Sequence, residues 1–327
     1  MNLEILLLII ILIIVFIFIF SLFIISEIIL NKVYKTRCDN RKDIKIYTYK
    51  DFDFLDHKDF EFYSSNSIIR GRIYSLKDKS KLNNKIIFFF HGFGGGHENY
   101  MHEINMFIKK GYIVFAYDNL GCELSDGKNI KGLLEIFNES ENFYKYFKTL
   151  KEYQNKDIFL VGHSWGGFNA INSSRIIKDA KKVVALSSFN SSNFPSKGNL
   201  LIIKLCIPFL YLINLFRFNK YSNFISKKTI KKNKNIKYLL LNGKNDKVVL
   251  PNQSSKIYSS LKYPNLNFIE LENKGHSLQL EVNSEKYLIS FLNDMKSNNF
   301  DGNKYDYELL TKQDEEVYNI IFNFLEN

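Results

Sequence analysis

Cysteine is scarce in this 327-residue chain, and its histidines are not clustered. The three cysteines, Cys38, Cys122 and Cys206, show no CxxC spacing, and the six histidines form no HExxH pattern. Zinc sites and disulfide frameworks depend on such spacings, so the sequence predicts neither a metal nor any other cofactor. With 46% hydrophobic and 16% aromatic residues, the chain nevertheless has enough apolar side chain to form a sizeable core.

Charged residues are missing from a long stretch near the N-terminus. Residues 5–26 carry no charge, and a helix of that length covers roughly 33 Å, enough to cross the hydrocarbon core of a bilayer. A cleaved signal peptide would need a basic start, a shorter apolar run and a cleavage site of small residues. No lysine or arginine precedes Lys32. The sequence therefore favours an uncleaved transmembrane anchor at residues 1–30.

Basic residues are concentrated on one side of this apolar run. Six follow it within residues 32–45 and none precedes it, so the positive-inside rule predicts a single-pass protein of the cell membrane with a cytoplasmic body. The net charge of +11 suits a body that lies beside an anionic leaflet. Nucleic-acid binding is the other usual meaning of such a charge. The chain has no helix-turn-helix, zinc-finger or RNA-binding pattern, so we expect no nucleic-acid partner.

Buried apolar runs alternate with helical patterns after residue 59. The strand patterns lie at 60–64, 67–76, 85–93 (where the strand ends in a glycine-rich turn), 112–118, 157–162, 182–189, 237–243 and 266–271. Helical patterns occupy 98–110 and about 130–150, a further helix begins near Trp165, and another lies at about 251–262. This alternation predicts an α/β fold, with a mainly parallel sheet and helices on both faces, over residues 59–327.

Two segments do not fit the alternation. Residues 31–58 are predicted to be a charged tether between the anchor and the domain. Residues 190–235 lie between two strands, are too long for a simple connection and include an apolar stretch at 200–218. We interpret them as an inserted helical lid. A second membrane span is the alternative, but Lys204, Pro208 and Asn214 interrupt the stretch.

A serine between glycines follows the strand at 157–162. Gly162 to Gly166 match G-x-S-x-G, in which a sharp strand-to-helix turn points a serine hydroxyl outward. A serine nucleophile needs a base and an orienting acid, which follow it in the order acid, then histidine, in folds of this kind. His276 is the only histidine after Ser164 in the chain. Asp246 lies just after the strand pattern at 237–243. We therefore assign Ser164 as nucleophile, Asp246 as acid and His276 as base.

Two backbone amides are predicted to stabilise the oxyanion. One belongs to Trp165, directly after the serine, and the other to Phe93 in the turn HGFGGG. His91 and His163 also lie in glycine turns, and we interpret their side chains as making local hydrogen bonds rather than acting as base or metal ligand. Asp118 precedes the serine in the chain and is interpreted as a residue that stabilises a turn.

The motifs HGFGGG, YDNLGCELSDG, GHSWGG, LNGKNDKVV and NKGHS together resemble the α/β-hydrolase superfamily, in order and in spacing. Within it the chain is similar to the serine-aminopeptidase-like or monoacylglycerol-lipase-like branch, and to a group of low-GC bacterial sequences with the same glycine turn. The resemblance implies the same nucleophile, acid, base and amide donors as those assigned above. One departure is Glu123, where the family often has the second glycine of D-x-x-G-x-G-x-S. It affects the expected shape of the substrate site and leaves the triad intact.

The sequence thus predicts a membrane-anchored serine hydrolase that cleaves carboxylic esters, with monoacyl lipid esters as the expected substrates. A serine peptidase or amidase on the same triad is one alternative, and it would need acidic residues in the lid to hold a substrate amine. Residues 190–235 contain no Asp or Glu. A non-catalytic anchored binding module is the other alternative. Such relatives usually lose a member of the triad, whereas this chain has all three.

Overall fold

A single mainly parallel sheet forms the centre of the protein. The computed structural model describes residues 3–34, 36–192, 201–297 and 300–327. Within these ranges the strands are β1 (Leu55–Ser64), β2 (Ser67–Leu76), β3 (Lys85–Phe90), β4 (Ile113–Tyr117), β5 (Asp157–His163), β6 (Ala180–Leu186), β7 (Lys237–Gly243) and β8 (Leu266–Leu271). They are arranged in the order β1-β2-β4-β3-β5-β6-β7-β8. Strands β3 to β8 pair in parallel, while β2 is antiparallel to both β1 and β4. The predicted α/β architecture is confirmed.

Helices cover both faces of this sheet. The helices are α1 (Leu3–Val33), α2 (Met101–Lys109), α3 (Glu135–Phe147), α4 (Trp165–Ser173), α5 (Leu201–Phe218), α6 (Ser226–Lys232), α7 (Ser255–Tyr258), α8 (Val282–Asp294), α9 (Tyr307–Leu310) and α10 (Glu315–Glu326). Helices α3, α4 and α7 contribute to the core on one face, and α2 and α10 to the core on the other. Strand β3 is apolar after Lys85 because both of its faces are buried. Phe88 faces the first core and Phe89 faces the second.

The first strand begins earlier than the sequence pattern predicts. We expected it at residue 60, but β1 begins at Leu55, which pairs with Leu76 and is almost fully buried. Residues 56–59 are all polar or charged, and this hides the strand from a hydrophobicity pattern. Their backbone pairs with β2, while their side chains lie at a sheet edge where water is accessible.

The predicted tether at 31–58 is in contact with the domain over much of its length. Helix α1 continues to Val33, past the predicted end of the anchor. The Arg37 guanidinium donates to the carbonyls of Ser125 (3.0 Å) and Glu123 (2.7 Å), and the amide of Cys38 donates to Gly121 O (2.8 Å). The segment is therefore not a free linker, because its polar groups find acceptors on the loop that follows β4.

Helix α1 is long and apolar enough to cross a membrane, by length and composition, and no other helix in the described ranges meets that test. Its first half projects from the domain with exposed apolar side chains. Its second half packs along α5, which lies inside the predicted lid segment together with α6. Helix α1 and the longer helix of the predicted lid are therefore neighbours.

Candidate active site

The three predicted site residues lie at one edge of the sheet. Ser164 follows β5, Asp246 follows β7, and His276 follows β8. These strands are parallel, so their carboxyl ends meet on the same side, where ligands bind in sheets of this type. The Nε2 atom of His276 lies 3.0 Å from Ser164 Oγ, and its Nδ1 atom lies 2.8 Å from Asp246 Oδ2. The side chains of Ser164, His276 and Asp246 therefore form one connected series of contacts.

The turn that carries Ser164 is strained in the way its motif predicts. Ser164 has φ 55° and ψ −115°, a left-handed φ that a non-glycine residue seldom adopts. Its amide donates to Leu186 O on β6 (2.7 Å), which ties the turn to the sheet. Glycine is required at 166, because a Cβ there would lie 1.9 Å from Phe90 O. The close approach of β3 and α4 thus holds the serine at the tip of the turn.

The aspartate is buried and its two oxygens have separate partners. Asp246 Oδ1 accepts hydrogen bonds from the amides of Val248 (2.8 Å) and Val249 (2.9 Å). This leaves Oδ2 for His276. Backbone donors on one oxygen fix the plane of the carboxylate. Asp246 can therefore orient the imidazole without further help.

The loop that carries His276 is held by residues that sequence reasoning did not identify. The carboxylate of Glu285, in the first turn of α8, accepts from the amides of Gly275 (2.8 Å) and Ser277 (2.8 Å), on either side of the histidine. The hydroxyl of Ser187 donates to the carbonyl of His276 (2.6 Å). The only sequence signal for Glu285 is its distance of nine residues from His276, which has no meaning until the loop is folded.

His163 connects this loop to the glycine turn. Its Nε2 atom donates to the carbonyl of His276 (2.8 Å), and its Nδ1 atom accepts from the hydroxyl of Tyr100 (3.0 Å). The same hydroxyl accepts from the amide of Gly92 (3.1 Å). Burial, and secondarily the neighbouring His276, lower the pKa of His163 to about 3, so the ring is neutral at pH 7. We expected local bonds for His163, but its ring joins three segments of the site.

The side chains of the two residues predicted to donate to the oxyanion contact each other, and Trp165 directly follows Ser164 in the chain. The rings of Phe93 and Trp165 meet edge to face with centroids 5.6 Å apart. Trp165 is the first residue of α4, and the first amides of a helix have no acceptor within it. Its indole Nε1 donates to Leu133 O (3.0 Å), which fixes the side chain. That both backbone amides donate to an oxyanion stays a prediction.

His91 and Asp118 make the local contacts expected of them. The Nδ1 atom of His91 donates to Gly92 O (2.7 Å), and its Nε2 atom accepts from the amide of Asn119 (3.0 Å). Asp118 Oδ1 accepts from the amide and from the ring Nδ1 of His97, at 2.6 and 2.7 Å. Burial alone would raise the pKa of Asp118, but the contacts with His97 outweigh it and hold that pKa at about 2.

Glu123, the departure from the family motif, holds the N-terminal segment. It adopts a left-handed φ of 37°, a conformation that the glycine usually found at this position would adopt without strain. Its carboxylate accepts from the amide of Asn40, and its carbonyl accepts from Arg37. The loop after β4 therefore supports the segment that leaves α1, which suggests why a charged residue is tolerated here.

A cavity of about 290 Å³ adjoins the glycine turn. Gly92 and Phe93 form one wall, and His163 and Ser277, the chain neighbours of two triad residues, line it as well. Apolar side chains from the segment 44–47 and from α8 form much of the remainder. Its size lies near the lower limit for small-molecule sites, so it has room for one part of a substrate. Within the described ranges, no three potential metal ligands come together.

Comparisons with known proteins agree with this geometry. Residues 82–206 match the family model described as serine aminopeptidase, S33. A putative esterase/lipase from Mycoplasma pneumoniae is 29% identical over 133 residues, which are 40% of this chain and 47% of that protein. The match thus spans about half the length of the curated relative.

Solved structures show the same fold at low identity. An esterase from Pyrococcus furiosus superposes with a TM-score of 0.55 at 22% identity, covering 77% of this chain and 94% of that one. An acetyl xylan esterase from Paenibacillus sp. R4 gives a TM-score of 0.52 at 15% identity, covering 76% and 87%. The chain therefore has the α/β-hydrolase fold of these structures, and its residues 82–206 are similar to the serine aminopeptidase S33 family.

Proposed function

We propose that this protein is a serine hydrolase that cleaves carboxylic esters through an acyl-enzyme on Ser164. The observation that carries the proposal is the chain of contacts from Ser164 Oγ through His276 to Asp246. His276 Nε2 takes the hydroxyl proton as Ser164 Oγ attacks the ester carbonyl. The amides of Phe93 and Trp165 donate to the oxygen that becomes negative.

Collapse of the tetrahedral intermediate breaks the bond to the alcohol oxygen, which receives the proton from His276. Water then takes the place of the alcohol. His276 removes a proton from it as it attacks the acyl carbonyl, and the acid leaves as the proton returns to Ser164. Asp246 keeps the imidazole in the tautomer that can accept at Nε2 and stabilises it when it is charged.

Ester cleavage is favoured over amide cleavage by the surroundings of the site. The relatives described as esterases or as an esterase/lipase support the ester reading. A substrate amine would need an ionised carboxylate. Glu103 lines the cavity, but burial raises its pKa to about 7, and Gln279 already donates to it. It is therefore a weak partner for an ammonium group at neutral pH.

We further propose that α1 is retained as a membrane anchor with the domain in the cytoplasm. Leu22 and Ser26 are buried against the domain, and Tyr34, just after α1, lies in one core cluster with Trp165. Cleavage after α1 would remove part of that packing, whereas a signal peptide is dispensable for the mature fold. The basic residues after α1 support the cytoplasmic side. External protease on intact cells should leave the domain intact, and degradation without lysis would reverse the orientation.

The proposed substrate is a monoacyl ester taken from the bilayer. The rings of Tyr34 and Phe93 meet edge to face at 6.3 Å, so the end of α1 lies beside the glycine turn of the site. Lysines at 227–237 add positive charge, and each contributes about 1 kcal/mol when close to anionic lipid. The partners we propose are therefore the ester substrate and the membrane, with no nucleic acid.

A chain-length series tests the reaction and the substrate together. The full chain is assayed in detergent with 4-nitrophenyl esters of increasing length and with amino-acid amides, beside Ser164→Ala and the exposed control Ser259→Ala. We expect a preference for chains of about eight carbons or more, since each buried methylene contributes about 0.8 kcal/mol. If acetyl esters or amides are the best substrates, the lipid proposal fails. If Ser164→Ala matches the wild type, the mechanism fails.

A further inference from the structure

Helix α5 is apolar on the side that faces water as well as on the side that faces the protein. Cys206, Leu210 and Ile213 are buried. Leu205, Leu212 and Phe216, at spacings of seven and four residues, share a second stripe, about a quarter turn away, and are exposed; Phe216 is 80% exposed. The outer stripe of a helix on a water-soluble surface is normally polar. This exposed stripe therefore needs an apolar neighbour.

Contacts between α5 and α1 show that the exposed stripe lies beside the apolar surface of α1. The hydroxyl oxygen of Ser26 on α1 lies 3.5 Å from the carbonyl oxygen of Cys206, and the Cys206 thiol lies 3.9 Å from Leu22 O. Farther along both helices, Arg217 forms an ion pair with Glu27. Arg217 also donates to Asn31 of α1, so the paired positions increase in both helices and α5 runs in the same general direction as α1.

The parallel direction fixes the depth of α5. Cys206 lies level with residues 22–26 of α1, within the apolar run that extends from residue 5. Leu201 begins α5 five residues earlier, which places the first turn about 7 Å nearer the middle of α1 at 1.5 Å per residue. If α1 spans a bilayer, the N-terminal half of α5 lies at the depth of its last apolar turns.

The charges near the paired ends of the two helices suit that position. Helix α5 contains no Asp or Glu, and its basic residues are Lys204 in the first turn and Arg217 in the last. Glu27, the acidic residue in the paired part of α1, is compensated by Arg217. An ion pair of this kind lowers the cost of holding both charges near hydrocarbon. Arg217 and Lys220 lie at the C-terminal end of α5, where lipid head groups would be.

We propose that α5 is a second membrane-contact element, which inserts its exposed stripe into the leaflet that surrounds the end of α1. The acyl chains and the interfacial region of that bilayer cover the stripe. Phe218, at the end of α5, packs in the same core cluster as Trp165, next to Ser164. The helix pair therefore holds the catalytic edge of the sheet at the membrane surface. This inference rests on the proposed anchoring by α1.

Fluorescence quenching by brominated lipid tests the insertion. Full-length Phe216→Trp and, separately, Leu212→Trp are placed in nanodiscs whose lipid acyl chains carry bromine, and in unbrominated discs. Because an indole at an embedded position meets the bromines directly, we expect roughly twofold or stronger quenching of the added tryptophan. The native Trp165 is only 2% exposed, and its signal is subtracted with the wild type.

A matched control is Asn323→Trp on α10. Asn323 is exposed, and the next residue, Phe324, accepts a hydrogen bond from Lys182 near the start of β6, at the sheet edge opposite Ser164. This added tryptophan should not be quenched. Flotation of the same samples with lipid tests the anchor separately. If the protein floats but neither α5 variant is quenched beyond the control, α5 does not insert and the anchor stands. If the protein does not float, the anchor and this inference both fail.

Discussion

Two histidine–aspartate pairs lie at the carboxyl edge of the same sheet, and they differ in what the second ring nitrogen meets. In one, His276 Nδ1 contacts Asp246 at 2.8 Å and its Nε2 faces the hydroxyl of Ser164. In the other, His97 Nδ1 contacts Asp118 at 2.7 Å. Its Nε2 lies 2.9 Å from the hydroxyl of Tyr74, and the ring has no exposed surface.

The comparison separates chemistry from stability. A His–Asp pair activates a nucleophile only when a reactive hydroxyl lies at the other nitrogen and a substrate can reach it. The side chain of His276 is 19% exposed and that of His97 is fully buried. We therefore propose catalysis for the first pair, while the second pair joins the turn after β3 to the end of β4.

We expect the largest effect when the base of the first pair, His276, or the nucleophile that faces it, Ser164, is removed. Ser164→Ala or His276→Ala should lower ester hydrolysis by roughly 10⁴-fold or more, because members of a triad act as a unit. The rate is measured with a 4-nitrophenyl ester at saturating concentration. The matched change in the second pair, His97→Ala, should leave residual activity well above that level in whatever fraction folds. Equal losses in all three variants would contradict the distinction.

Replacing the aspartate of each pair by asparagine compares the two pairs more closely. Asp246→Asn should lower kcat by roughly 10³-fold or more while the protein stays folded, because the amide no longer selects the required tautomer. Asp118→Asn should keep most activity at low temperature and lower the free energy of unfolding by about 2 kcal/mol, since it disturbs a buried acceptor. Kinetics and thermal melts on the same preparations give both results. The opposite pattern would make Asp118 the catalytic acid.

A smaller effect is expected for the side chain that connects the site segments. His163→Phe removes the donor to the carbonyl of His276 and the acceptor for Tyr100. A misplacement of about 1 Å can cost roughly 10²-fold, so we expect a fall in kcat of about 10- to 100-fold. KM should change little, and the pH profile of kcat should shift as the position of His276 changes. Unchanged kcat and pH profile would reduce His163 to a packing residue.

The smallest effect is the acid sensitivity of the second pair. The pKa of Asp118 is about 2 in the folded protein against an ordinary value of 3.8, with burial opposed and outweighed by the contacts with His97. A lowered pKa stabilises the fold above about pH 4, and the contribution, about 2 kcal/mol, is lost as the pH falls toward 2. Urea unfolding at pH 5 and pH 2.5 measures it. Asp118→Asn should show a smaller loss over that interval, and an identical loss would remove Asp118 as its source.

The members of the proposed site have signals in the sequence, but the residues that hold its loops have none. Ser164 has a local motif, and His276 is the one histidine after it, so order along the chain identifies both. Glu285 and Ser187 carry no motif, and their roles depend on which loops meet after folding. A hydrogen-bond partner far away in sequence leaves no periodic signal.

The same limit applies to the N-terminal region. Composition predicts a span at residues 5–26, and the structure contains the long apolar helix. The pairing of α1 with α5 depends on contacts such as Ser26 with Cys206 and Glu27 with Arg217, which join residues about 180 positions apart. The start of β1 was also missed, because backbone pairing with β2 outweighs the polar sequence at 56–59.

Covalent labelling of the nucleophile tests the central claim most directly. The full-length protein, folded in detergent, is treated with a fluorophosphonate, digested and mapped by mass spectrometry. The account predicts one adduct on Ser164, no labelling of Ser164→Ala, and strongly slowed labelling of His276→Ala, because Ser164 Oγ needs the base at 3.0 Å. An adduct on another residue, or equal labelling of wild type and Ser164→Ala, would contradict it.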